Sequence, residues 1–284
     1  MKKIYSFLAI TLLSTSSFAQ LKQAGNNLSI HPQFKADHTY TYELILKKLV
    51  QENEEVTTEV EQIIPVELKL YSEGEGFNLF EWKSAPMLFF RDKTAEEEAF
   101  VFSQKPITIQ YRTDENYVLG EVSNYDEVIQ DYNKAFQELY RDADTDYSDL
   151  ASKSSLYFVQ MFHSFFGQEF STKNKEQMVN LFFNPMRNSF AAAEDEITYQ
   201  SVENGAQFNF KQKFNMEMED NSAKMMNHKT VDSYRSKQTG ADYSLKSWGN
   251  QVYQSNGLVE QIERVTEVKQ NGKIIQFIYT LSKK

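Results

Sequence analysis

The stretch QFNFKQKFNMEME, residues 207–219, alternates between apolar and polar side chains along its whole length. Its even-numbered positions are apolar except for Gln212, and its odd-numbered positions are polar. Successive side chains of a β-strand point to opposite faces, so this pattern predicts one strand with an apolar and a polar face. At roughly 3.4 Å per residue the strand would be about 40 Å long, whereas a typical strand contains only ~5–6 residues. The rest of the chain must supply long partner strands and an apolar cover.

Similar alternation recurs on both sides of a central segment. Strands are predicted near residues 38–50 and 56–70, each with one apolar face. Pro65 lies on the polar face of the second strand and has no amide hydrogen for the ladder, so it predicts a sheet edge or a bulge. Beyond residue 196, several dipeptides typical of two-residue hairpin turns predict an antiparallel meander. They are Asn204-Gly205, Asn256-Gly257 and Asn271-Gly272.

Three helices are predicted between the two groups of strands. The first begins at Ser123-Asn124, which has capping-box spacing, and carries an apolar stripe as far as Tyr140. The second runs from about Tyr147 to Phe166, with Gly167 placed to end it in a left-handed conformation. The third runs from about 174 to 183 and stops at Asn184-Pro185.

This order of elements predicts an α+β fold in a single domain, residues 20–284. Strands in 38–119 and 196–282 would form one long, curved antiparallel sheet, a half-barrel or open barrel. The three-helix block, residues 124–184, is inserted between the two β halves and would pack on the concave face. Two small β-sandwiches joined by helices are the alternative, which the lack of a Gly-, Ser- or Pro-rich linker disfavours.

The first residues have the organisation of a secretory signal peptide. Lys2 and Lys3 precede an apolar run from Ile4 to Leu13, and Ser17-Phe18-Ala19 offers a cleavage site, which predicts a signal peptide at 1–19. The apolar run is too short to span a membrane, and no later stretch predicts a span in the mature chain. We therefore expect export to the periplasm or beyond the cell.

Composition excludes several kinds of chemistry and partner. The chain has no cysteine, so disulfides and thiolate metal sites are excluded. Its formal charge is −10, from 40 acidic and 30 basic residues, which argues against a nucleic-acid partner. No nucleophile elbow, phosphate-binding glycine loop or paired-histidine zinc motif occurs, so no catalytic residue, metal or cofactor is predicted. His163 lies within an aromatic helix and is predicted to be a hydrogen-bonded core or boundary histidine.

An acidic stretch between the first two helices begins like a calcium-binding loop. Asp142, Asp144 and Asp146 alternate there. Tyr147 occupies the place where such a loop needs glycine, and Lys153 the place where it needs glutamate. The stretch is therefore interpreted as a solvated connection between helices.

Phenylalanine-rich segments are the candidates for a ligand site. An antiparallel sheet that its own side chains do not fill can enclose a ligand, and these segments would line that space. Filling of the same space by helix-on-sheet packing is the alternative. The candidate ligand-binding residues are Phe89, Phe162, Phe165, Phe166, Phe208, Phe210, Phe214 and Met216.

Several features carry a resemblance to known groups of proteins. The ending SSFAQ of the signal peptide, the lack of cysteine and the aromatic strands resemble exported Bacteroidetes proteins of unknown function. Long strands, a helical block after Gly120-Glu121-Val122 and further strands resemble the lipoprotein-carrier half-barrels of bacterial envelopes. The second resemblance implies a carrier of lipid or lipopeptide.

Three functions follow as hypotheses, in order of preference. The first is an exported protein that binds an apolar ligand, a lipid or lipopeptide, between the sheet and the aromatic helices. The second is a structural or interaction module with a filled core and an envelope protein as its partner. The third is a hydrolase of exported polymers, which would need convergent carboxylates or a histidine dyad.

Overall fold

The computed structural model describes residues 21–85, 106–141, 143–171, 173–174, 176–184, 189–202, 205–213, 222–227, 230–236, 242–270 and 272–284. Helices α1 and α2 span Tyr125–Tyr140 and Ser148–His163. The described strands are β1 (Leu21–Ala24), β2 (Asn27–Ile30), β3 (Thr39–Glu52), β4 (Glu55–Gly74), β5 (Phe77–Ser84), β6 (Ile107–Asp114), β7 (Leu119–Val122), β8 (Glu169–Ser171), β9 (Glu176–Asn184), β10 (Ser189–Val202), β11 (Gly205–Lys213), β12 (Ser222–Asn227), β13 (Thr230–Ser236), β14 (Asp242–Gln254), β15 (Val259–Gln270) and β16 (Lys273–Lys283).

One antiparallel sheet of thirteen strands forms most of the protein. Its order is β7-β6-β5-β4-β3-β16-β15-β14-β11-β10-β9, and β12 and β13 are attached through β14. Pairing of β16 with β3 joins the N-terminal and C-terminal groups of strands, which confirms the prediction of one sheet. Among the described strands β7 and β9 do not pair with each other, so the sheet is not closed into a barrel. Strands β1, β2 and β8 form a separate small sheet.

The alternating stretch that begins at Gln207 forms a strand as far as it is described. Strand β11, Gly205–Lys213, pairs with β10 on one side and β14 on the other. Residues 214–219 lie outside the described part of the chain. Strands β10 and β11 form the hairpin predicted at Asn204-Gly205, but Gly205 already belongs to β11, where Val202 is its register partner.

The third predicted helix, residues 174–183, was wrong. Strand β9, Glu176–Asn184, pairs with β10 over nine register partners. Met178, Leu181 and Phe182 have helical spacing, but a short apolar run fits a strand equally well. The neighbouring β10 decides the outcome because it supplies a complete hydrogen-bond ladder. The fold is therefore mostly antiparallel sheet with two described helices rather than a three-helix block.

Asn124, the residue immediately before α1, attaches the helix to the sheet. The predicted capping box is not formed, because the Asn124 side chain makes no capping hydrogen bond. Its Oδ1 accepts from the amide of Gln110 at 2.8 Å, and its Nδ2 donates to the carbonyl of Thr108 at 2.9 Å. Both partners belong to β6, so this residue uses its hydrogen bonds to fix α1 against that strand instead of satisfying the helix end.

Helix α2 covers the apolar face of the sheet with aromatic side chains. The Phe162 ring contacts Tyr42 of β3 and Trp82 of β5, with centroid separations of 5.5 and 5.8 Å. Phe158 contacts Tyr279 of β16 at 5.9 Å. Edge-to-face aromatic contacts add to the free energy gained from burying apolar area. The helix therefore lies across several strands, including the pair that joins the two halves of the sheet.

Pro65 lies just beyond the described pairing of β4 with β5, at a position where an edge or a bulge was predicted. It pairs with Glu43 of β3, but the described pairing of β5 with β4 reaches only as far as Val66. The missing amide hydrogen of the proline therefore leaves no gap in a described ladder. The outer face of this region carries ion pairs between β3 and β4, such as Lys47–Glu61 at 2.9 Å.

Candidate ligand-binding site

A cleft of about 420 Å³ lies beside the C-terminal half of α2. Residues of α2, the segment that leads into β7, the turn after α2 and strand β15 line it. Its apolar lining residues are Val118, Leu119, Gly120, Met161 and Phe166. Its polar lining residues are Tyr157, Gln160, His163, Ser164, Gln168 and Arg264. This mixture suits a molecule that has both an apolar and a polar part.

One side of α2 and its C-terminus supply the helical wall of the cleft. Tyr157, Gln160, Met161 and Ser164 follow one another at offsets of three, four and seven residues, which places them on the same side of a helix. This spacing is visible in the sequence, but Gln160 and Ser164 are polar and do not stand out as ligand contacts. The apolar stripe of α2, which contains Phe158 and Phe162, is the more obvious feature. The cleft lies along the margin of this stripe, at Tyr157 and Met161.

His163 holds the other wall in place. Its Nδ1 donates to the carbonyl of Tyr117 at 2.9 Å, so its Nε2 accepts the hydroxyl hydrogen of Tyr111, also at 2.9 Å. The side chain is 2% exposed, and burial lowers its pKa to about 4, although the hydrogen bond to Tyr117 acts in the opposite direction. The imidazole is therefore neutral at pH 7. This confirms the predicted core histidine, and it ties α2 to β6 and to the segment that lines the cleft.

The turn after α2 lies very close to the same segment. Gly167 adopts a φ of +70°, and a Cβ built on it would come within 2.6 Å of Val118 Cγ2. Only glycine fits such a close approach and this conformation without a shift. Tyr117 has a positive φ of 65° as well, so both contacting segments turn sharply where they meet.

A chain of polar side chains links α2 to β14 near the cleft. Ser164 Oγ donates to the Met161 carbonyl at 2.9 Å and accepts from Gln251 Nε2 at 3.3 Å. The Tyr253 hydroxyl donates to Gln251 Oε1 at 2.7 Å. Gln251 and Tyr253 are fully buried. Ser164 is therefore held by the backbone on one side and by a buried amide on the other.

Arg264 is a charged residue in the floor of the cleft. It lies on β15 and is 3% exposed. The strand register places it between Gly249 of β14 and Tyr279 of β16, and the same row continues to Phe210 of β11. The sequence does contain a signal for this site. Arg264 shares its alternation phase with Ile262, so it places a charge on the apolar face of a strand.

The structure places the predicted ligand-binding residues in three groups. Phe162, Phe165 and Phe166 are fully buried among aromatic rings, and only Phe166 of the three lines the cleft. Phe208 and Phe210 lie on β11, where their register partners in β14 are Gln251 and Gly249. The remaining candidates, Phe89, Phe214 and Met216, lie outside the described residues.

The acidic stretch after α1 forms local hydrogen bonds. Asp146 accepts from the amide of Ser148 at 2.9 Å and from its hydroxyl at 2.5 Å, and these bonds lower the pKa of the aspartate. Asp142 lies outside the described residues. Within the part of the chain that is described, no group of three or more acidic, histidine or cysteine side chains could hold a metal ion. Nor does this part contain a helix long and apolar enough to cross a membrane.

Comparison with known proteins gives no family assignment. No protein-family model matches the chain, and no curated protein matches it. Among solved structures, the chain is similar to one of lipovitellin that describes lipid–protein interactions, with 10% sequence identity and a TM-score of 0.41. The match covers 89% of this chain, which spans only 25% of the lipovitellin chain. A likeness at this level does not assign a function.

Proposed function

We propose that this protein is an exported binding protein that holds a lipid-like ligand between the sheet and helix α2. The observation that carries the proposal is the cleft of about 420 Å³, whose size falls within the roughly 300–1,000 Å³ typical of small-molecule sites. The half-barrel shape expected for a carrier and its export by the predicted signal peptide belong to the same proposal.

The cleft combines the features that such a ligand requires. Val118, Leu119 and Met161 offer apolar contacts, while Gln160 and Arg264 offer polar ones. His163 fixes the wall near Val118, because its two ring nitrogens hold β6 and the neighbouring Tyr117 carbonyl. A site whose walls are fixed before binding loses less conformational entropy when the ligand enters.

The aromatic core supports the packing of this site rather than the site itself. Phe34, Phe80 and Phe162 are buried and contact one another or shared aromatic neighbours. Side chains fill the described interior around Phe162. We place the ligand at the margin of that core, beside α2.

A second candidate function is an interaction module of the cell envelope. The aromatic packing around Phe162 favours it, because a filled core needs no ligand. Its partner would bind the outer surface, where Val56 and Ile63 are 61% and 51% exposed on β4. Such a protein would be isolated in a complex with another protein and without a small molecule.

Native mass spectrometry of the full chain, purified from the organism that makes it, separates the two functions. The native mass is compared with the denatured mass of the same sample. We expect an excess mass that disappears after extraction with organic solvent. A native mass equal to that of the chain, together with failure to take up added decanoate and decanol, would contradict the binding function.

A further inference from the structure

We propose that the ligand of the cleft contains an extended peptide, which pairs with the open edge of strand β7 as an additional strand of the sheet. This inference rests on the proposed function, because it specifies the ligand chemistry of the same site. Strand β7 lies at one end of the strand order of the large sheet, and among the described strands only β6 pairs with it. Addition of a peptide strand to an open sheet edge is a recurring mode of peptide recognition.

The cleft borders this edge of the sheet rather than one of its faces. Val118, immediately before β7, and the first two residues of the strand, Leu119 and Gly120, all line the cleft. Successive side chains of a strand point to opposite faces, so a cleft on one face would be lined by alternate side chains only. Gly120 has no side chain and is exposed, so it lines the cleft with its backbone. Open space therefore lies beside the backbone of β7.

The backbone groups of Leu119 point to the open side of β7. The Asp114 amide donates to the Val118 carbonyl at 3.1 Å, so Val118 directs its carbonyl towards β6. Neighbouring residues of an antiparallel strand direct their hydrogen-bonding groups to opposite sides. Leu119, the register partner of Thr113, therefore directs its amide and its carbonyl away from β6. No hydrogen bond to these two groups occurs within the described residues, and a peptide strand would supply a partner for each.

Helix α2 supplies a wall for the side chains of such a peptide. Tyr157, Gln160 and Met161 line the cleft from this helix. Met161 offers an apolar contact to a side chain or an acyl chain, and the Gln160 amide can both donate and accept. In strand addition the main-chain hydrogen bonds provide affinity, and pockets for alternate side chains provide specificity. The cleft therefore suits an acylated peptide better than a free lipid, which has no backbone to pair with Leu119.

The edge is held in position before a ligand enters. His163 of α2 donates to the carbonyl of Tyr117, which directly precedes Val118, at 2.9 Å. The turn after α2 lies against the same segment, because a Cβ built on Gly167 would come within 2.6 Å of Val118 Cγ2. A binding surface that is already ordered loses less conformational entropy when a peptide pairs with it.

Matched acyl peptides test this inference on the wild-type protein. Isothermal titration calorimetry of the full chain, stripped of bound ligand, compares decanoate, decanoyl-trialanine amide and two isomers of that peptide, N-methylated at the first or the second alanine. Only alternate amides of an added strand point to β7, so only one of the two isomers places its methyl group against the edge. We expect the affinities of the isomers to differ at least about tenfold, because the methyl group leaves the Leu119 carbonyl unpaired.

Substitutions in β7 test the same contact from the protein. Leu119→Pro removes the amide hydrogen that points to the open edge, and proline is tolerated on that side of an edge strand. Val122→Pro is the matched control. The Ser123 amide donates to the Gln110 carbonyl at 2.7 Å, so Val122 also directs its amide away from β6, but it is not among the described residues that line the cleft. Leu119→Pro should weaken binding of decanoyl-trialanine amide at least about tenfold more than Val122→Pro does.

The outcomes separate this inference from the proposed function. Equal binding of the two isomers, or binding of decanoate without binding of decanoyl-trialanine amide, would overturn strand pairing and leave the binding function standing. Failure of decanoate and of all three peptides to bind would contradict the binding function itself. The comparison of the isomers in wild type decides the matter even if Leu119→Pro does not fold.

Discussion

His163 makes the stability of this fold dependent on pH in a direction that the structure fixes. Its pKa is about 4 in the folded chain, against an ordinary value of 6.5. The unfolded chain therefore takes up a proton at this imidazole as the pH falls below about 6.5, whereas the folded chain does so only near pH 4. The His163 contribution is fully present above pH 6.5 and is lost as the pH falls from 6.5 towards 4.

The size of this effect follows from the shift. Each pKa unit corresponds to about 1.4 kcal/mol, so the whole difference is about 3 kcal/mol. At pH 5 about 2 kcal/mol of the free energy of unfolding should already be lost relative to pH 7.5. This cost has a structural cause, because the protonated ring could no longer accept the hydrogen bond from the Tyr111 hydroxyl.

Urea unfolding followed by tryptophan fluorescence measures the loss. Trp82 is 2% exposed and contacts Phe162, so its emission reports the core under α2. The test compares wild type with His163→Gln at pH 7.5 and pH 5.0, since the other histidines are present in both proteins. Between pH 7.5 and pH 5.0 the free energy of unfolding should fall by about 2 kcal/mol more in wild type than in the variant. Equal losses in the two proteins, or an NMR titration in which the His163 ring is protonated at pH 5, would show that burial does not keep this imidazole neutral.

Other substitutions test the packing around the site. Gln62 is 1% exposed, and neither polar atom of its side chain has a hydrogen-bond partner among the described residues. Gln62→Leu should therefore raise the free energy of unfolding by about 1–2 kcal/mol in urea titrations. A free energy of unfolding below that of wild type would contradict this prediction. Gly257→Ala should lower the free energy of unfolding by at least about 1 kcal/mol more than Gly272→Ala does. Both glycines have a positive φ, but only at Gly257 would a Cβ come within 2.7 Å of a backbone oxygen, that of His31. Equal losses would show that this contact relaxes freely. Phe162→Ala should cost about 3–5 kcal/mol in the same assay, and a loss below about 1 kcal/mol would mean that the aromatic core is loosely packed.

Much of the sheet could be predicted from the sequence because its strands alternate strictly. The apolar faces of β3 and β4 and the hairpins at glycine follow from local pattern and turn chemistry. Strand β9 could not be predicted, because Met178, Leu181 and Phe182 fit a helix as well as a strand and only pairing with β10 distinguishes the two. Pairing of β3 with β16 joins residues more than 200 positions apart, and no local signal specifies it.

The candidate site was harder to predict than the fold. Phe162 and Phe165 are buried and other rings enclose them. The cleft is lined by Gln160 of helix α2 and Arg264 of strand β15, and the polar Gln160 shows no sequence signal for a ligand site. The sequence signal for the site is Arg264, a charged residue on the apolar face of strand β15.

If a ligand occupies the cleft, a substitution that fills the cleft should weaken its binding. Gln160 lines the cleft and is partly exposed on α2, so Gln160→Trp would place a large ring in the space without disturbing a fully buried position. Lys134→Trp adds the same ring at an exposed position on α1 and is the control. The measurement is the dissociation constant of decanoate for the two variants. We expect at least about tenfold weaker binding by Gln160→Trp, equivalent to about 1.4 kcal/mol, and no change for Lys134→Trp. Unchanged affinity in both folded variants would place the ligand elsewhere and contradict the account.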